Sequence, residues 1–244
     1  MKTNKEWIQW GKLDPLWAVA SWQGRESKGV NPWTTDEFYQ LGESDWKDFD
    51  HYWQKSGCNL EHMLEIGCGA GRLTRAISKA TADILALDVS KDQIAIAKSH
   101  CPQHVRFQVT NGTQIPLQDG AATAVFSAHV FQHFECLEDA RAVFVEINRV
   151  LQPGGSLFIH LPVFNFPETA IHKVFAFMHG MNKILGNLRA QIRRSTGRVF
   201  MRSLWYERSW LSENLSRSGF SHMEFVTFQV ASNGSWHSFV YARK

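Results

Sequence analysis

Short apolar segments alternate with helix-like segments between Glu61 and Leu161, and this alternation constrains the fold more than any other feature of the sequence. The apolar segments have the length of buried strands: His62–Ile66, Ile84–Asp88, Val105–Val109, Ala122–Ala128 and Ser156–Leu161. The amphipathic segments between them are Arg72–Lys79, Lys91–Ser99 and Leu137–Val150. Strands that alternate with helices are joined by right-handed crossovers, which place helices on both faces of a parallel sheet. The sequence therefore predicts a doubly wound α/β fold.

Two more strand-like segments, His222–Val230 and Ser235–Ala242, lie near the end of the chain. Residues 231–234 are too short a link for a parallel crossover, so these two segments are predicted to pair as an antiparallel hairpin. We expect residues 1–244 to form a single domain around a mostly parallel seven-stranded, Rossmann-like sheet that ends in this hairpin. A chain of 244 residues is long enough to bury the core of such a domain.

Two regions lie outside the alternation. Residues 1–60 hold seven of the ten tryptophans, and we predict that they form an N-terminal helical extension that either closes over the cofactor as a lid or packs its aromatic residues onto the core. Residues 162–206 follow the fifth strand and are predicted to form a basic helical cap insertion. Within it, residues 169–206 contain no acidic residue but seven basic ones, and apolar residues recur at helical spacing. The pattern predicts an amphipathic basic helix over the carboxyl edge of the sheet, where ligands bind.

Three interpretations of this basic helix stay open. It can be a cap that packs its apolar face on the body of the domain. It can be a substrate lid whose arginines, such as Arg189 and Arg193, bind an anionic acceptor. It can also contact an anionic membrane surface. Aromatic residues of the N-terminal extension, Tyr39 among them, are further candidates for closing over the ligand.

Composition excludes several classes of protein. Apolar residues make up 44% and charged residues 20% of the chain, which is typical of a globular protein. A formal net charge of +3 is too small to indicate nucleic-acid binding. The four cysteines form no C-x-x-C pair, so we expect reduced thiols in a cytoplasmic protein. No apolar segment reaches the roughly 18 residues of a transmembrane helix, and the start of the chain lacks the apolar core of a signal peptide.

The stretch EIGCGAG, Glu65 to Gly71, places three glycines between a predicted strand and a predicted helix. Such a turn lets a ligand approach the backbone closely. The spacing differs from the dinucleotide fingerprint G-x-G-x-x-G, and Glu65 would repel a phosphate. Asp88 ends the second strand, where a carboxylate can bind both ribose hydroxyls. These residues together favour a ligand with a ribose, a cationic end and no pyrophosphate, a description that S-adenosylmethionine fits.

Five stretches along the chain share their order and spacing with a known family: EIGCGAG (65–71), LDVS (87–90), NGTQIP (111–116), FSAHVFQH (126–133) and EINRVLQPGG (146–155). Together with the C-terminal hairpin, they resemble the motifs of class I S-adenosylmethionine-dependent methyltransferases. The resemblance covers about residues 60–161 and the hairpin. It implies that the chain binds S-adenosylmethionine, releases S-adenosylhomocysteine and methylates a small molecule.

The resemblance also implies the cofactor-binding residues: Glu65, Gly67, Gly69, Gly71, Asp88, Val89, Asn111, Gly112, Thr113, Ser127 and Ala128. Glu65, the glycine turn and the end of the fourth strand would contact the methionine part, and Asp88 would bind the ribose. The loop that begins at Asn111 would contact the adenine, although the family usually has Asp-Ala where this chain has Asn-Gly. His133 falls beside the reacting methyl group, where it is either a general base or part of the pocket wall.

His129 and His133 are four residues apart and can be read as metal ligands on one helix face. The sequence shows no third ligand, so we expect no metal. The favoured hypothesis is a methyltransferase that acts on a small, anionic or amphipathic acceptor. The alternative is a methyltransferase-like protein that binds the cofactor, or serves as a scaffold for a partner, without catalysis.

Overall fold

The computed structural model describes residues 3–164, 204–230 and 236–244. Within them, the helices are α1 (Thr3–Leu13), α2 (Pro15–Val19), α3 (Thr35–Lys55), α4 (Arg72–Ile77), α5 (Lys91–His100), α6 (Leu137–Val150) and α7 (Arg208–Arg217). The strands are β1 (Met63–Ile66), β2 (Ile84–Asp88), β3 (Arg106–Val109), β4 (Ala122–Ala128), β5 (Leu151–Phe164), β6 (Tyr206–Glu207), β7 (Ser221–Gln229) and β8 (Trp236–Arg243). The predicted basic segment 169–206 lies almost entirely outside the described residues, as do its candidates Arg189 and Arg193.

The strands form one sheet in the order β3-β2-β1-β4-β5-β8-β7. The pairs among β1 to β5 are parallel, whereas β8 runs antiparallel to both β5 and β7. The predicted doubly wound sheet with a C-terminal antiparallel hairpin is therefore confirmed. The strand order reverses between β1 and β4, and ligands of such folds bind in the crevice at this switch point, beyond the carboxyl ends of the strands.

Two details of the sheet differ from the sequence prediction. Strand β5 begins at Leu151, ahead of the predicted Ser156, because Leu151 already pairs with Ala122. The predicted turn Gln152–Gly155 lies inside this strand as an irregularity of the register, with Gly154 at a φ of 77°. The two-residue strand β6 was not predicted; it adds an eighth strand by pairing with the end of β5.

The core of the described residues contains a large hydrophobic cluster on each face of the sheet and a third, small cluster of Ala20, Phe38, Tyr39 and Ala70. One large cluster contains the buried faces of α6 and α7, and the other large cluster contains those of α3 and α4. Trp46, Phe49 and Trp53 of α3 pack directly on the sheet, and Trp53 donates an indole hydrogen bond of 3.0 Å to Ser156 Oγ. The second half of the tryptophan-rich region is thus a core helix of the domain. None of the helices in the described ranges combines the length and apolar character needed to span a membrane.

Candidate cofactor and acceptor site

The glycine turn between β1 and α4 uses the left-handed conformation at all three glycines. Gly67, Gly69 and Gly71 have φ values of 77°, 51° and 79°, which side chains other than that of glycine adopt only at a cost. A Cβ on Gly67 would lie 2.1 Å from Val130 Cγ2, and one on Gly69 would lie 2.5 Å from Val19 Cγ2. Intramolecular packing therefore requires glycine at both positions, independently of any ligand.

Asp88, at the end of β2, is hydrogen-bonded to the glycine turn. Its Oδ2 accepts from the backbone N–H of Gly69 at 2.9 Å, and its Oδ1 accepts from that of Ser90 at 2.8 Å. Burial raises the pKa of Asp88 above its usual range, and the backbone N–H donors oppose the increase. A carboxylate has about four acceptor sites, and the backbone groups of Gly69, Ser90 and Val89 use at most three of them, which leaves capacity for a ribose hydroxyl.

Glu65, in β1, is buried, with only 3% of its surface exposed. Thr74 Oγ1 donates a hydrogen bond of 2.6 Å to its Oε2. Burial raises the pKa of Glu65 to about 7, the hydroxyl of Thr74 and the guanidinium of Arg72 lower it, and the charge of Asp88 adds to the increase. A positive ligand beside Glu65 and Asp88 would stabilise both carboxylates in their charged forms. The two acids therefore fit the cationic end of S-adenosylmethionine and would not fit a phosphate.

The loop after β3 is closed by its own hydrogen bonds. Asn111 Oδ1 accepts from the N–H of Thr113 at 3.0 Å, from that of Gln114 at 2.9 Å and from Thr113 Oγ1 at 3.3 Å. Asn111 Nδ2 donates to Gln114 Oε1 at 3.0 Å. An adenine amino group could bind the Asn111 carbonyl oxygen only by replacing one of these donors, and the adenine contact of Asn111 stays a prediction. Gly112 continues the turn with a φ of 86°.

The end of β4 lies next to the glycine turn. Ser127 is buried and donates from its Oγ to the carbonyl of Ile66 at 3.0 Å. Ala128 is half-buried and pairs with His160 across the β4–β5 ladder. Val89 is half-buried beside Asp88 and contributes one of the backbone hydrogen bonds that lower the pKa of Asp88. The sequence-predicted residues on β1, β2 and β4 therefore converge at the switch point of the sheet.

Helices α1 and α2 cover the predicted site residues at the ends of β1, β2 and β4. Asn4 Nδ2 donates to the carbonyl of Asn111 at 2.6 Å, and the ring centroid of Trp7 lies 4.5 Å from that of His133. Further along, Gln93 Nε2 donates to the carbonyl of Pro15 at 2.9 Å. With the contact between Val19 and Gly69 described above, these helices contact the loops that follow β1, β3 and β4, and the first turn of α5, which comes after β2.

Tyr39 does not face the site as predicted. Its side chain is 3% exposed, and its hydroxyl donates to the carbonyl of Ala70 at 2.8 Å. His100 stacks on its ring, and the guanidinium of Arg75 lies 4.9 Å from the ring centroid. Tyr39 therefore supports the glycine turn from within the core, and we no longer consider it an acceptor-binding residue.

His133 lies in a short 3₁₀ helix, Phe131–His133. Gln132 Nε2 contacts His133 Nε2 at 3.1 Å, so the amide can donate to that nitrogen. His129 is not on a helix face shared with His133, since it precedes the 3₁₀ helix and has a φ of 59°. It lies instead beside His160 and His237, with ring centroids at 4.1 and 5.7 Å. Sequence analysis missed His160 and His237 because each lies in a strand with no motif around it.

Comparison with known proteins gives a family match for the central part of the chain. Residues 64–159 match the family model described as "Methyltransferase domain". The chain is 25% identical over 118 residues to a demethylmenaquinone methyltransferase of Tropheryma whipplei, covering 45% of this chain and 48% of that protein. It is 31% identical over 99 residues to a ubiquinone biosynthesis O-methyltransferase of Methylococcus capsulatus, covering 39% of this chain and 40% of that protein. The chain thus spans about half or less of the length of these curated relatives.

Solved structures share the fold. Magnesium protoporphyrin IX methyltransferase from Synechocystis, solved with bound S-adenosylhomocysteine, superposes with a TM-score of 0.58 at 16% identity, covering 94% of this chain and 93% of that one. A S-adenosylmethionine-dependent methyltransferase from Methanosarcina mazei gives a TM-score of 0.57 at 16% identity, covering 78% and 95% of the two chains. The family match over residues 64–159, the five motifs and the sheet order support a class I S-adenosylmethionine-dependent methyltransferase, and these two structures show that the fold is shared. One of the two structures holds S-adenosylhomocysteine and the other is named as S-adenosylmethionine-dependent, which supports S-adenosylmethionine as the predicted cofactor.

Proposed function

We propose that this protein transfers the methyl group of S-adenosylmethionine to a small-molecule acceptor that is anionic or amphipathic. The observation that carries the proposal is the pair of carboxylates, buried Glu65 and half-buried Asp88, at the carboxyl ends of β1 and β2 beside the glycine turn. Withdrawing two acids from water is costly unless a positive group compensates for them. The cofactor supplies that positive charge, together with an electrophilic methyl group on its sulfonium.

The roles proposed for the binding residues follow from their contacts. Asp88 binds the ribose through the lone pairs that the backbone N–H groups of Gly69 and Ser90 leave open. Glu65 favours the cationic methionine end, and the buried Ser127 holds β4 against β1 so that backbone near Ala128 faces the same end. Helices α1 and α2 exclude water from the reacting groups, which together with alignment is the main protein contribution to such a displacement.

The class of acceptor is supported by charge and by the relatives. Residues 169–206 carry seven basic and no acidic residues, which suits an anionic or amphipathic molecule. The relatives are named for demethylmenaquinone, ubiquinone biosynthesis and magnesium protoporphyrin IX, and we extend acceptors of that general kind, ring-bearing small molecules, to this protein.

The experiment has two stages with the full chain. Calorimetry first measures binding of S-adenosylmethionine and of S-adenosylhomocysteine, with Asp88→Ala as a site variant and Asp48→Ala, at an exposed position of α3, as its matched control. Release of S-adenosylhomocysteine is then measured over a panel of quinols, phenols, carboxylic acids, amines and a cellular metabolite extract. Binding with turnover on one acceptor class supports the proposal. Binding without turnover anywhere favours the non-catalytic alternative, and absence of binding overturns both.

A further inference from the structure

Three histidines from three neighbouring strands meet near the carboxyl edge of the sheet. His129 follows β4, His160 lies in β5 and His237 lies in β8. One ring nitrogen of each can be chosen so that all three atoms lie within 4.8 Å of one another. Among the described residues, this is the one group of three or more potential metal ligands that lies so close together.

The backbone holds these side chains together. His160 pairs with Ala128 in the β4–β5 ladder, and the N–H of His129 donates to the carbonyl of His160 at 3.0 Å. His237 pairs with Pro162, two residues along β5 from His160, so its side chain lies on the same face of the sheet. His129 has the left-handed φ of 59°, a conformation that is uncommon outside glycine and that concentrates at functional sites.

His160 has a buried nitrogen without a hydrogen-bond partner. The side chain is 6% exposed, its Nε2 lies 3.1 Å from His237 Nδ1, and its Nδ1 has no partner. If Nε2 accepts the proton of His237, Nδ1 carries a buried N–H without an acceptor. If Nε2 is the donor, Nδ1 keeps a buried lone pair without a donor. Both tautomers therefore leave the buried Nδ1 of His160 without a partner among the described residues, while its Nε2 faces His237.

Two neighbouring polar side chains act on the cluster, since Gln132 is hydrogen-bonded to His129 and the charge of Arg72 acts on both His129 and His160. Arg72 would oppose a cation, but its guanidinium is paired with the carboxylate of Asp45.

We propose that His129, His160 and His237 form a binding site for one divalent cation of the zinc type. Neutral imidazole is a preferred ligand of Zn²⁺, and two nitrogens on one tetrahedral zinc lie about 3.3 Å apart because each Zn–N bond is about 2.0–2.1 Å. The separation of 3.1 Å between His160 and His237 is close to that value, and small ring rotations bring in the third nitrogen. Three protein ligands leave a fourth position for water or for an oxygen, nitrogen or sulfur atom of another molecule.

The site is distinct from the acids and the glycine turn proposed to hold S-adenosylmethionine, so the proposal stands or fails independently of the methyl acceptor. It revises the sequence expectation that no metal ligand set exists. That expectation considered His129 with His133, whereas the fold brings His129 to His160 and His237 instead. The open coordination position lies near the edge of the sheet where the acceptor is expected to bind.

The test uses metal alone. The full chain is stripped with a chelator, dialysed and titrated with Zn²⁺, Co²⁺ and Mg²⁺ by calorimetry, and the Co²⁺ complex is examined for the intense visible bands of tetrahedral coordination. The variants are His237→Ala and His129→Ala, both at half-buried positions, and the control is the exposed His104→Ala. Melting temperatures without metal show that each variant is folded.

The expected result is one Zn²⁺ per chain, tetrahedral Co²⁺ bands and no measurable binding of Mg²⁺, which prefers oxygen ligands. Each ligand variant should weaken Zn²⁺ binding by at least about tenfold, since even partners outside the ligand set cost 10–100-fold, and His104→Ala should not change it. Equal Zn²⁺ affinity in the wild type and in folded ligand variants would overturn the proposal. Binding of Mg²⁺ as tight as that of Zn²⁺, or no Zn²⁺ binding, would also overturn it.

Discussion

The carboxylate of Asp88 accepts a hydrogen bond of 2.9 Å from the backbone N–H of Gly69, and through this contact the end of β2 is attached to the glycine turn that follows β1. The same carboxylate accepts from Ser90 at the start of α5. One side chain therefore organises two of the loops proposed to surround the cofactor. Its loss should affect both the binding of the cofactor and the stability of the apo protein.

We predict that Asp88→Ala weakens binding of S-adenosylmethionine by about tenfold to a hundredfold, because two hydrogen bonds from the ribose to a charged group are lost. The variant should also be less stable than the wild type, since the N–H groups of Gly69 and Ser90 lose their acceptor at a cost of roughly 1–3 kcal/mol each. Calorimetry measures the first effect and urea unfolding the second. Asp48→Ala should change neither, and unchanged cofactor affinity in a folded Asp88→Ala protein would disprove the ribose assignment.

A second prediction concerns Glu65, whose pKa is raised by burial from 4.5 to about 7. The folded state retains this proton at pH values where the unfolded chain has already released it, so the group makes the apo protein less stable as the pH rises from about 4.5 to about 7. Glu65→Gln keeps an acceptor for Thr74 Oγ1 and removes the ionisation. We expect urea unfolding to show that the variant loses less stability over this pH range, by at most about 3 kcal/mol.

The same residue makes cofactor binding depend on pH. A positive ligand favours the charged form of Glu65, so binding near pH 6.5 should release protons and become tighter as the pH approaches 7. Calorimetry in two buffers with different ionisation enthalpies detects that release. In Glu65→Gln, the binding enthalpy should depend less on the buffer, and the cofactor affinity should depend less on pH, because this carboxyl group is absent. If the wild type and the variant release the same number of protons, Glu65 is not the residue that responds to the ligand.

A third prediction tests the packing of α2 on the glycine turn. Gly69→Ala adds a Cβ atom only 2.5 Å from Val19 Cγ2, which is a steric clash. It also places alanine at a φ of 51°. Gly24→Ala is the matched control, because Gly24 has a φ of 80° and no described atom within 4 Å of an added Cβ. The free energy of unfolding of the control should fall by only about 1–2 kcal/mol, the cost of placing alanine in the left-handed conformation. The free energy of unfolding of Gly69→Ala should fall by more, as measured by thermal or urea unfolding.

The excess loss should disappear when Val19 is shortened. In the double variant Gly69→Ala/Val19→Ala, the clash is relieved while the conformational cost remains, so a double-mutant cycle should give a coupling free energy of about 0.5–3 kcal/mol. Additive effects of the two substitutions would mean that α2 does not pack on the turn in solution.

The sheet could be predicted from the sequence largely because its central strands are buried on both faces. Ile84–Asp88 and Ala122–Ala128 are continuous apolar segments, and their predicted bounds are those of β2 and β4. The C-terminal hairpin was predicted because residues 231–234 are too short to connect two parallel strands. Strand β6 could not be predicted in this way, since Tyr206 and Glu207 form a strand only through long-range pairing with β5. Local propensity carries no information about such a pair.

The site was predicted in part for a similar reason. Glu65, the glycines and Asp88 form motifs within short stretches, and the fold brings them together as expected. The histidine cluster depends on which strands are neighbours, because His160 and His237 are 77 residues apart and meet only where β8 lies beside β5. Tyr39 was proposed to contact the acceptor, and its aromatic ring gave no indication that its hydroxyl bonds to the carbonyl of Ala70 in the core.

The last prediction addresses the choice left open for His133, between a general base and a pocket wall. Gln132 Nε2 lies 3.1 Å from His133 Nε2, and Trp7 covers the ring at a centroid distance of 4.5 Å, so this nitrogen is engaged by an amide rather than directed at a bound molecule. We therefore expect His133→Ala to lower the rate of S-adenosylhomocysteine release by less than about tenfold, short of the 10²–10⁴-fold that removal of a general base costs. In His133→Ala, the midpoint of the acid limb of the pH–rate profile should be the same as in the wild type.

Trp7→Ala, which uncovers the ring of His133, is the companion variant and should change KM more than kcat. A loss of a hundredfold or more in His133→Ala, together with disappearance of the acid limb, would identify His133 as the base and Gln132 as a group that moves away on acceptor binding.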